Sequence, residues 1–171
     1  MSVKLDEKDL AILTLIQENS KLTANQIAKK INTPITTVFA KTKRMEEQGI
    51  IKQYRAILNP EKLNLATAAF ILASVSYQAK NEDNTPISQR QVAEEIARFA
   101  EVQEVHVITG DWDLLVKLRG ENVEAIGRFV VDKLRLIKGL EKTLTCMVFE
   151  TVKESTSLPQ IIRKSPVKPL G

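Results

Sequence analysis

The sequence predicts an α+β protein in two parts: a trihelical N-terminal third, then a remainder in which strands and helices follow the order βαββαβ. Three observations lead there. Apolar residues recur three and four apart through three short runs before residue 50. From residue 67 onward, strand-like apolar runs bracket two more helical stretches. The charge is also segregated: residues 1–60 hold 10 basic and 6 acidic side chains, residues 61–150 hold 11 and 14, and residues 151–171 hold 4 and 1.

Composition bounds the rest. With 171 residues, 43% apolar and 27% charged, the chain has room for one or two compact domains and is neither disordered nor collagen-like. Cys146 is the only cysteine, which excludes an internal disulfide and a cysteine-based zinc site and suits a reducing compartment. No apolar run reaches the roughly 20 residues of a membrane span, and residues 1–8 are too charged for a signal peptide. The expectation is a soluble, cytoplasmic protein without membrane partners.

In the first third, Asp6 is the expected N-cap of a helix. Asp9 lies in its first turn, and Leu10, Leu13 and Ile16 form a stripe widened by Ile12. Thr23 caps a second short helix with Ile27 and Ile31 inward. Asn32-Thr33-Pro34 then makes a turn, in which Asn tolerates a left-handed backbone, Thr33 can cap and Pro34 suits the first helical position. The third helix runs to about Gln48 and stops at Gly49, with Val38, Thr42 and Met45 assigned to the core.

Thr36, Thr37, Ala40 and Arg44 fall on the opposite side of that helix, flanked by Lys41 and Lys43. Short hydroxylic side chains at a helix start let the backbone approach base edges, while Lys and Arg reach phosphates. Phe39 is assigned to the core, the alternative being contact with a thymine methyl. Ile50–Leu58 reads as a strand stopped by Asn59-Pro60, which completes a winged helix-turn-helix over residues 1–60. Eight basic residues against two acidic ones within Lys21–Arg55 favour DNA over a merely solvated helix surface or a protein-contact domain.

The remainder, residues 61–153, reads as a ferredoxin-like βαββαβ unit. Thr67–Tyr77 is apolar on both faces, Gln78–Pro86 is a polar loop, and Ser88 caps a helix with Val92, Ile96 and Phe99 on one side. Val105 and Val107 lead to Gly110-Asp111, and Leu114, Val116 and Leu118 alternate with Asp113, Leu115 and Lys117. A second helix carries Val123, Ile126, Val130, Leu134 and Ile137, and Leu144–Val152 is the last strand. Two helices cover one sheet face, so the other apolar face is expected to meet a second copy about a two-fold axis, placing two reading helices on two half-sites.

Asp111 and Asp113 flank Trp112 beside Gly110. Carboxylates can hold an ammonium, Gly110 permits close approach, Trp112 offers an apolar wall and Thr109 a hydroxyl. On residues alone an ordinary Gly-Asp turn with a packed Trp accounts for the same pattern. His106 reads as a strand residue and Cys146 as a buried apolar one. No phosphate loop, metal-ligand spacing or nucleophile–base pair is legible, so no catalytic residue, metal or cofactor is expected.

The run LDEKDLAILTLIQENSKLTANQIAKKINTPITTVFAKTKRMEEQGIIKQYRAILNPEKL resembles the N-terminal domain of the Lrp/AsnC (feast/famine) transcription regulators. VHVITGDWDLLVKL resembles that family's Gly-Asp-aromatic-Asp signature in its effector-sensing (RAM, AsnC-type) domain, and ETVKESTSLP its final strand and tail. The resemblance implies a DNA-binding regulator that dimerises by sheet packing and assembles further into tetramers or octamers. It also implies a small effector, usually an amino acid, bound between dimers near Thr109, Gly110, Asp111, Trp112 and Asp113. The DNA-facing set it implies is Thr33, Ile35, Thr36, Thr37, Ala40, Lys41, Lys43 and Arg44. The opening Thr33-Pro34-Ile35-Thr36 departs from many relatives, which place cap and proline one residue later. Residues 154–171 are expected to form a C-terminal tail, whose basic, Pro-rich part beyond Gln160 is a disordered arm or an extra phosphate contact. Two other classes stay open: a sirohaem-decarboxylase-like enzyme, and an architectural protein that coats DNA without a ligand.

Overall fold

The computed structural model describes residues 4–158 and divides into two compact units, residues 4–57 with 153–158 and residues 58–152. The basic Pro-rich segment beyond Gln160 lies outside the described residues. No described helix is long and apolar enough to cross a membrane.

The first unit holds three helices, α1 (Glu7–Glu18), α2 (Ala24–Lys30) and α3 (Ile35–Glu47). Asp6 and Thr23 each close a capping box with the residue three positions on, Asp9 and Gln26, so two orphan backbone N–H groups are satisfied at each start. Asn32 adopts φ 48° in the turn before α3. The end of α3 is a Schellman turn: Gly49 at φ 68° donates to the Glu46 carbonyl, and Ile50 donates to that of Met45. Ile12, Ile27, Ala28, Val38 and Met45 form the core, ringed by Leu13, Ile16, Leu22, Ile31, Ile50 and Ile51. Within this unit the Gln17 side chain exchanges two 3.0 Å hydrogen bonds with the Leu158 backbone.

Two expectations change here. Pro34, not Thr33, occupies the cap position of α3, and no side chain caps that helix. Ile50–Leu58 forms no strand. A strand needs a ladder partner, and among the described residues this segment has none; Ile50 and Ile51 pack on the helices while Ile57 and Leu58 stay exposed.

The second unit is built from β1 (Thr67–Val75), α4 (Gln89–Ile96), β2 (Val102–Val107), β3 (Leu114–Gly120), α5 (Val123–Arg128) and β4 (Leu140–Met147). The sheet order is β2-β3-β1-β4, with all neighbours antiparallel, as the βαββαβ reading requires. Ala69, Ile71, Ala73 and Val75 of β1 and Leu114, Val116 and Leu118 of β3 point to one face. There they pack with Val92, Ile96, Ile126, Phe129, Val130 and Leu134. Ser88 caps α4 as expected.

The second helix keeps its inward stripe from Ile126 to Ile137, but α-geometry ends at Arg128. A π-helical turn, Phe129–Lys133, and a 3-10 turn follow. The wider turn brings the adjacent Phe129 and Val130 both into the core, and Phe129 meets Phe99 edge-on at 5.4 Å between ring centres. The last strand runs Leu140–Met147 rather than Leu144–Val152. It begins directly after Gly139 because Val75 pairs with Leu140, and the chain has left the sheet by Phe149, which is fully exposed.

Gly139 holds φ 91°, and a Cβ there would lie 2.9 Å from Ile87 Cγ2. Gly139→Ala is therefore expected to destabilise the second unit by about 1–3 kcal/mol. Urea unfolding followed by Trp112 fluorescence reads this directly.

Candidate nucleic-acid interface and effector loop

The candidate reading helix, α3, is held by a carboxylate. Asp9 of α1 is 1% exposed, and its two oxygens serve three donors. Oδ2 accepts from the Asp6 N–H at 2.9 Å and from Arg44 Nη2 at 2.7 Å, while Oδ1 accepts from Lys41 Nζ at 3.0 Å. Lys41 also pairs with Asp6. The capping box of α1 and the ion pairs to α3 thus share one carboxylate. The Lys41 hydrogen bond, with the Asp9 backbone N–H second, holds the Asp6 carboxyl down to about 2 from its ordinary 3.8. In turn Asp6 raises the Lys41 ammonium above its usual range.

This redistributes the residues expected to face DNA. Thr33 is buried, with its hydroxyl unpartnered, and so does not face solvent. The Lys41 side chain is only 16% exposed, and that of Arg44 is 43% exposed with its guanidinium turned to Asp9. Their charges are compensated within the unit. Ile35, Thr36, Ala40 and Lys43 are exposed and Thr37 is half-buried. Phe39, assigned to the core from the sequence, is instead 66% exposed. The core places on this helix go to Val38 and Met45, and Phe39, one residue past Val38, is turned away from them. Lys43 is the cation that remains open on this face; its side chain is 65% exposed and 3.8 Å from Glu47. Tyr54 donates to Glu46 Oε1 at 2.8 Å, and partial burial with that carboxylate pushes its phenol up to about 12.

In the second unit the Gly110–Asp113 loop joins β2 to β3. It is closed by Ile108 N–H donating to the Asp113 carbonyl at 2.8 Å, and Gly110 takes φ 119°. Thr109, Gly110 and Asp111 are exposed, while Trp112 and Asp113 are half-buried. The two carboxylates do different work. Asp113 Oδ2 accepts from the Val75 N–H at 2.7 Å, and Oδ1 accepts from Gln89 Nε2 and, at 3.5 Å, from Tyr77 Oη. Asp113 therefore ties the loop to the end of β1 and the start of α4, and Asp111 is the free carboxylate of the pair. Gln89 and Tyr77 were invisible as loop partners in the sequence, being 24 and 36 residues away from Asp113.

Clefts of about 480 and 410 Å3 open elsewhere in this unit, the first beside Ile87 and Val92 and the second beside Leu118 and Phe129. No group of three His, Cys, Asp or Glu side chains among the described residues could hold a metal ion.

The sheet face opposite the helices carries Phe70 and Leu72 of β1, registered against Leu115 of β3 and against Leu144 and Cys146 of β4. Cys146 is exposed there rather than buried. His106 is a strand residue, 3.1 Å from Glu104, which also meets Lys117 at 3.4 Å. Those contacts, His106 first, hold the Glu104 carboxyl below its usual range.

Residues 5–52 match the winged helix-turn-helix DNA-binding family and residues 69–158 the Lrp/AsnC ligand binding domain. The chain is 43% identical over 154 residues to an uncharacterised HTH-type transcriptional regulator of Pyrococcus abyssi, covering 90% of this chain and 99% of that one. It is 35% identical over 159 residues to the HTH-type transcriptional regulator FL11 of Pyrococcus horikoshii, covering 93% and 99%. Among solved structures, a Neisseria meningitidis transcriptional regulator in complex with L-Met superposes with a TM-score of 0.82 at 30% identity, over 92% of this chain and 97% of that one.

Removing the Asp9 carboxylate leaves the half-exposed Arg44 guanidinium without its partner and Lys41 with Asp6 alone. Asp9→Ala is expected to cost about 2–4 kcal/mol, less than the roughly 3–5 kcal/mol of a fully broken buried pair, because Arg44 reaches water and Lys41 keeps Asp6. Circular dichroism during urea unfolding measures it. The Asp6 contact adds a pH signature of defined sign. Its folded pKa is depressed, so its contribution is complete above about pH 4 and is lost as pH falls through about 2. The difference in Tm between the protein and Asp6→Asn should shrink across that window.

Proposed function

Because the chain belongs to the Lrp/AsnC family of transcriptional regulators, with a helix-turn-helix DNA-binding domain and the family's ligand-binding domain, we propose that it binds operator duplexes through α3 and answers to an amino acid through the Gly110–Asp113 loop. The observation that carries the DNA half is the exposed face of α3. Thr36, Ala40 and Lys43 lie open to solvent while Asp9 fixes the adjoining flank through Lys41 and Arg44. A helix held this way enters a major groove without reorganising, its short side chains near base edges and Lys43 at a phosphate.

The chain pairs about a two-fold axis through the sheet face of Phe70, Leu72, Leu115 and Leu144, which no helix of its own unit covers. Pairing buries Cys146 and sets two reading helices on two half-sites. Higher assembly to a tetramer or octamer places the effector loop between dimers. The L-Met complex of the Neisseria relative supports an amino acid as ligand. Asp111 is then the acceptor for its ammonium, Trp112 an apolar wall and Asp113 the brace that holds both. The effector acts by binding one half-site geometry more tightly than another.

The protein works in the cytoplasm and catalyses no reaction in this reading. A decarboxylase of the sirohaem class is disfavoured because the one histidine, His106, sits on a sheet strand against Glu104. A ligand-independent architectural protein differs in showing no response to any amino acid.

Fluorescence anisotropy on duplex DNA across a salt series tests the first half. Affinity falls with salt for the unaltered protein, and Lys43→Ala lowers the slope of log K against log salt by about one. An unchanged slope removes Lys43 from the phosphates. A thermal-shift panel of amino acids tests the second half, with Asp111→Asn expected to abolish the shift while leaving the Tm without ligand within about 1 °C, since an exposed loop side chain carries little stability.

A further inference from the structure

We propose that Phe39 and Ile35 read thymine methyl groups in the major groove, so that operator choice rests on apolar contact as much as on hydrogen bonding. The proposal rests on the DNA-binding reading above and adds the chemistry that α3 recognises.

Phe39 and Ile35 are 66% and 48% exposed and stand four residues apart, so they lie one above the other on the same face of α3. Thr36 and Ala40 lie beside them, exposed and too short to screen them. The helix cannot roll to bury this ridge. Val38 and Met45 are fully buried about 100–120° round the helix from Phe39, and Asp9 holds Lys41 and Arg44 on the other flank of that core. An isolated exposed apolar residue is ordinary, but an aromatic and a β-branched side chain aligned on a fixed helix face form a surface shaped for contact.

The occupant follows from chemistry and charge. Phe39 has no donor or acceptor, so it is blind to the hydrogen-bonding edges of adenine, guanine and cytosine. The C5 methyl of thymine is the apolar group that base edges present in the major groove. The ridge sits in a segment, Lys21–Arg55, that keeps six basic residues against two acidic ones once Lys41 and Arg44 are paired with Asp9, and Lys43 opens on the next turn of the same face. That setting matches a polyanion rather than an apolar peptide. The site also differs from the hydroxyls of Thr36 and Thr37, which can bond to several bases and discriminate weakly.

The test uses the full chain. An operator is selected from a random duplex library, and each thymine in it is replaced singly by uracil, which removes one methyl and leaves the pairing edge intact. One or two positions per half-site are expected to lose about fourfold in affinity, the loss that follows from exposing one buried methyl. In Phe39→Ala the same uracil substitutions become silent at the position Phe39 covers, while the salt slope is unchanged. Phe39→Leu, which keeps an apolar side chain, retains the sensitivity. Two outcomes overturn the proposal while leaving DNA binding intact: salt-dependent binding with no thymine sensitivity, or the same sensitivity in the protein and in Phe39→Ala. Absence of salt-dependent binding to any duplex would instead reject the DNA-binding reading on which it stands.

Discussion

The first unit is organised around the Asp9 carboxylate. It closes the capping box of α1, and through Lys41 and Arg44 it fixes the position of α3 against α1. A buried carboxylate is costly unless it is paired and hydrogen-bonded, and here three donors, two of them cationic, converge on it. The apolar contacts of Ile12, Val38 and Met45 supply burial, but apolar contacts tolerate rotation and slip. The ion pairs are directional and select one rotational setting of α3. The identity of the face presented to solvent therefore depends on a residue that does not itself belong to that face.

That dependence explains which parts were legible beforehand. The helices were readable because their signals are local: Asp6, Thr23 and Ser88 at the caps, Asn32 and Gly49 at left-handed positions, and apolar residues at helical spacing. The sheet order followed from the element order, since a βαββαβ chain with right-handed crossovers has few antiparallel solutions. What could not be read was any assignment that turns on a partner distant in sequence. Lys41 and Arg44 were counted as phosphate ligands because their acids lie 32 and 35 residues back. A signal did exist: acids three apart on α1 face cations three apart on α3, a complementary spacing that invites pairing. Phe39 is exposed although its hydrophobicity predicts burial, a rule that holds in only one direction.

In the second unit the same distinction separates the two aspartates of the loop. From sequence Asp111 and Asp113 are equivalent, two carboxylates around a tryptophan. The fold separates them, because Asp113 meets the free Val75 N–H at the end of β1 as well as Gln89 at the start of α4. One carboxylate is consumed in positioning so that the other is presented. The misread end of β4 has a similar origin. Thr143 and Thr145 pair with Ala73 and Ile71, and this register, set from β1, starts the strand at Leu140, earlier than its own apolar pattern suggests.

The internal use of Lys41 and Arg44 also bears on how such a domain discriminates among duplexes. Electrostatic attraction to phosphates is blind to sequence, and each additional free cation raises affinity for every duplex alike. A reading helix with three cations open would hold DNA tightly and choose poorly. Here Asp9 pairs with two of the three and Lys43, 65% exposed, lies 3.8 Å from Glu47, so under the proposed mode the sequence-blind contribution from α3 itself is small. What remains on that face is apolar or weakly polar, groups whose contribution varies with the base they meet. The buried carboxylate on α1 thus orients the helix and, in the DNA-binding mode proposed above, also lowers its indiscriminate attraction, so that both effects would move the balance from affinity toward selectivity.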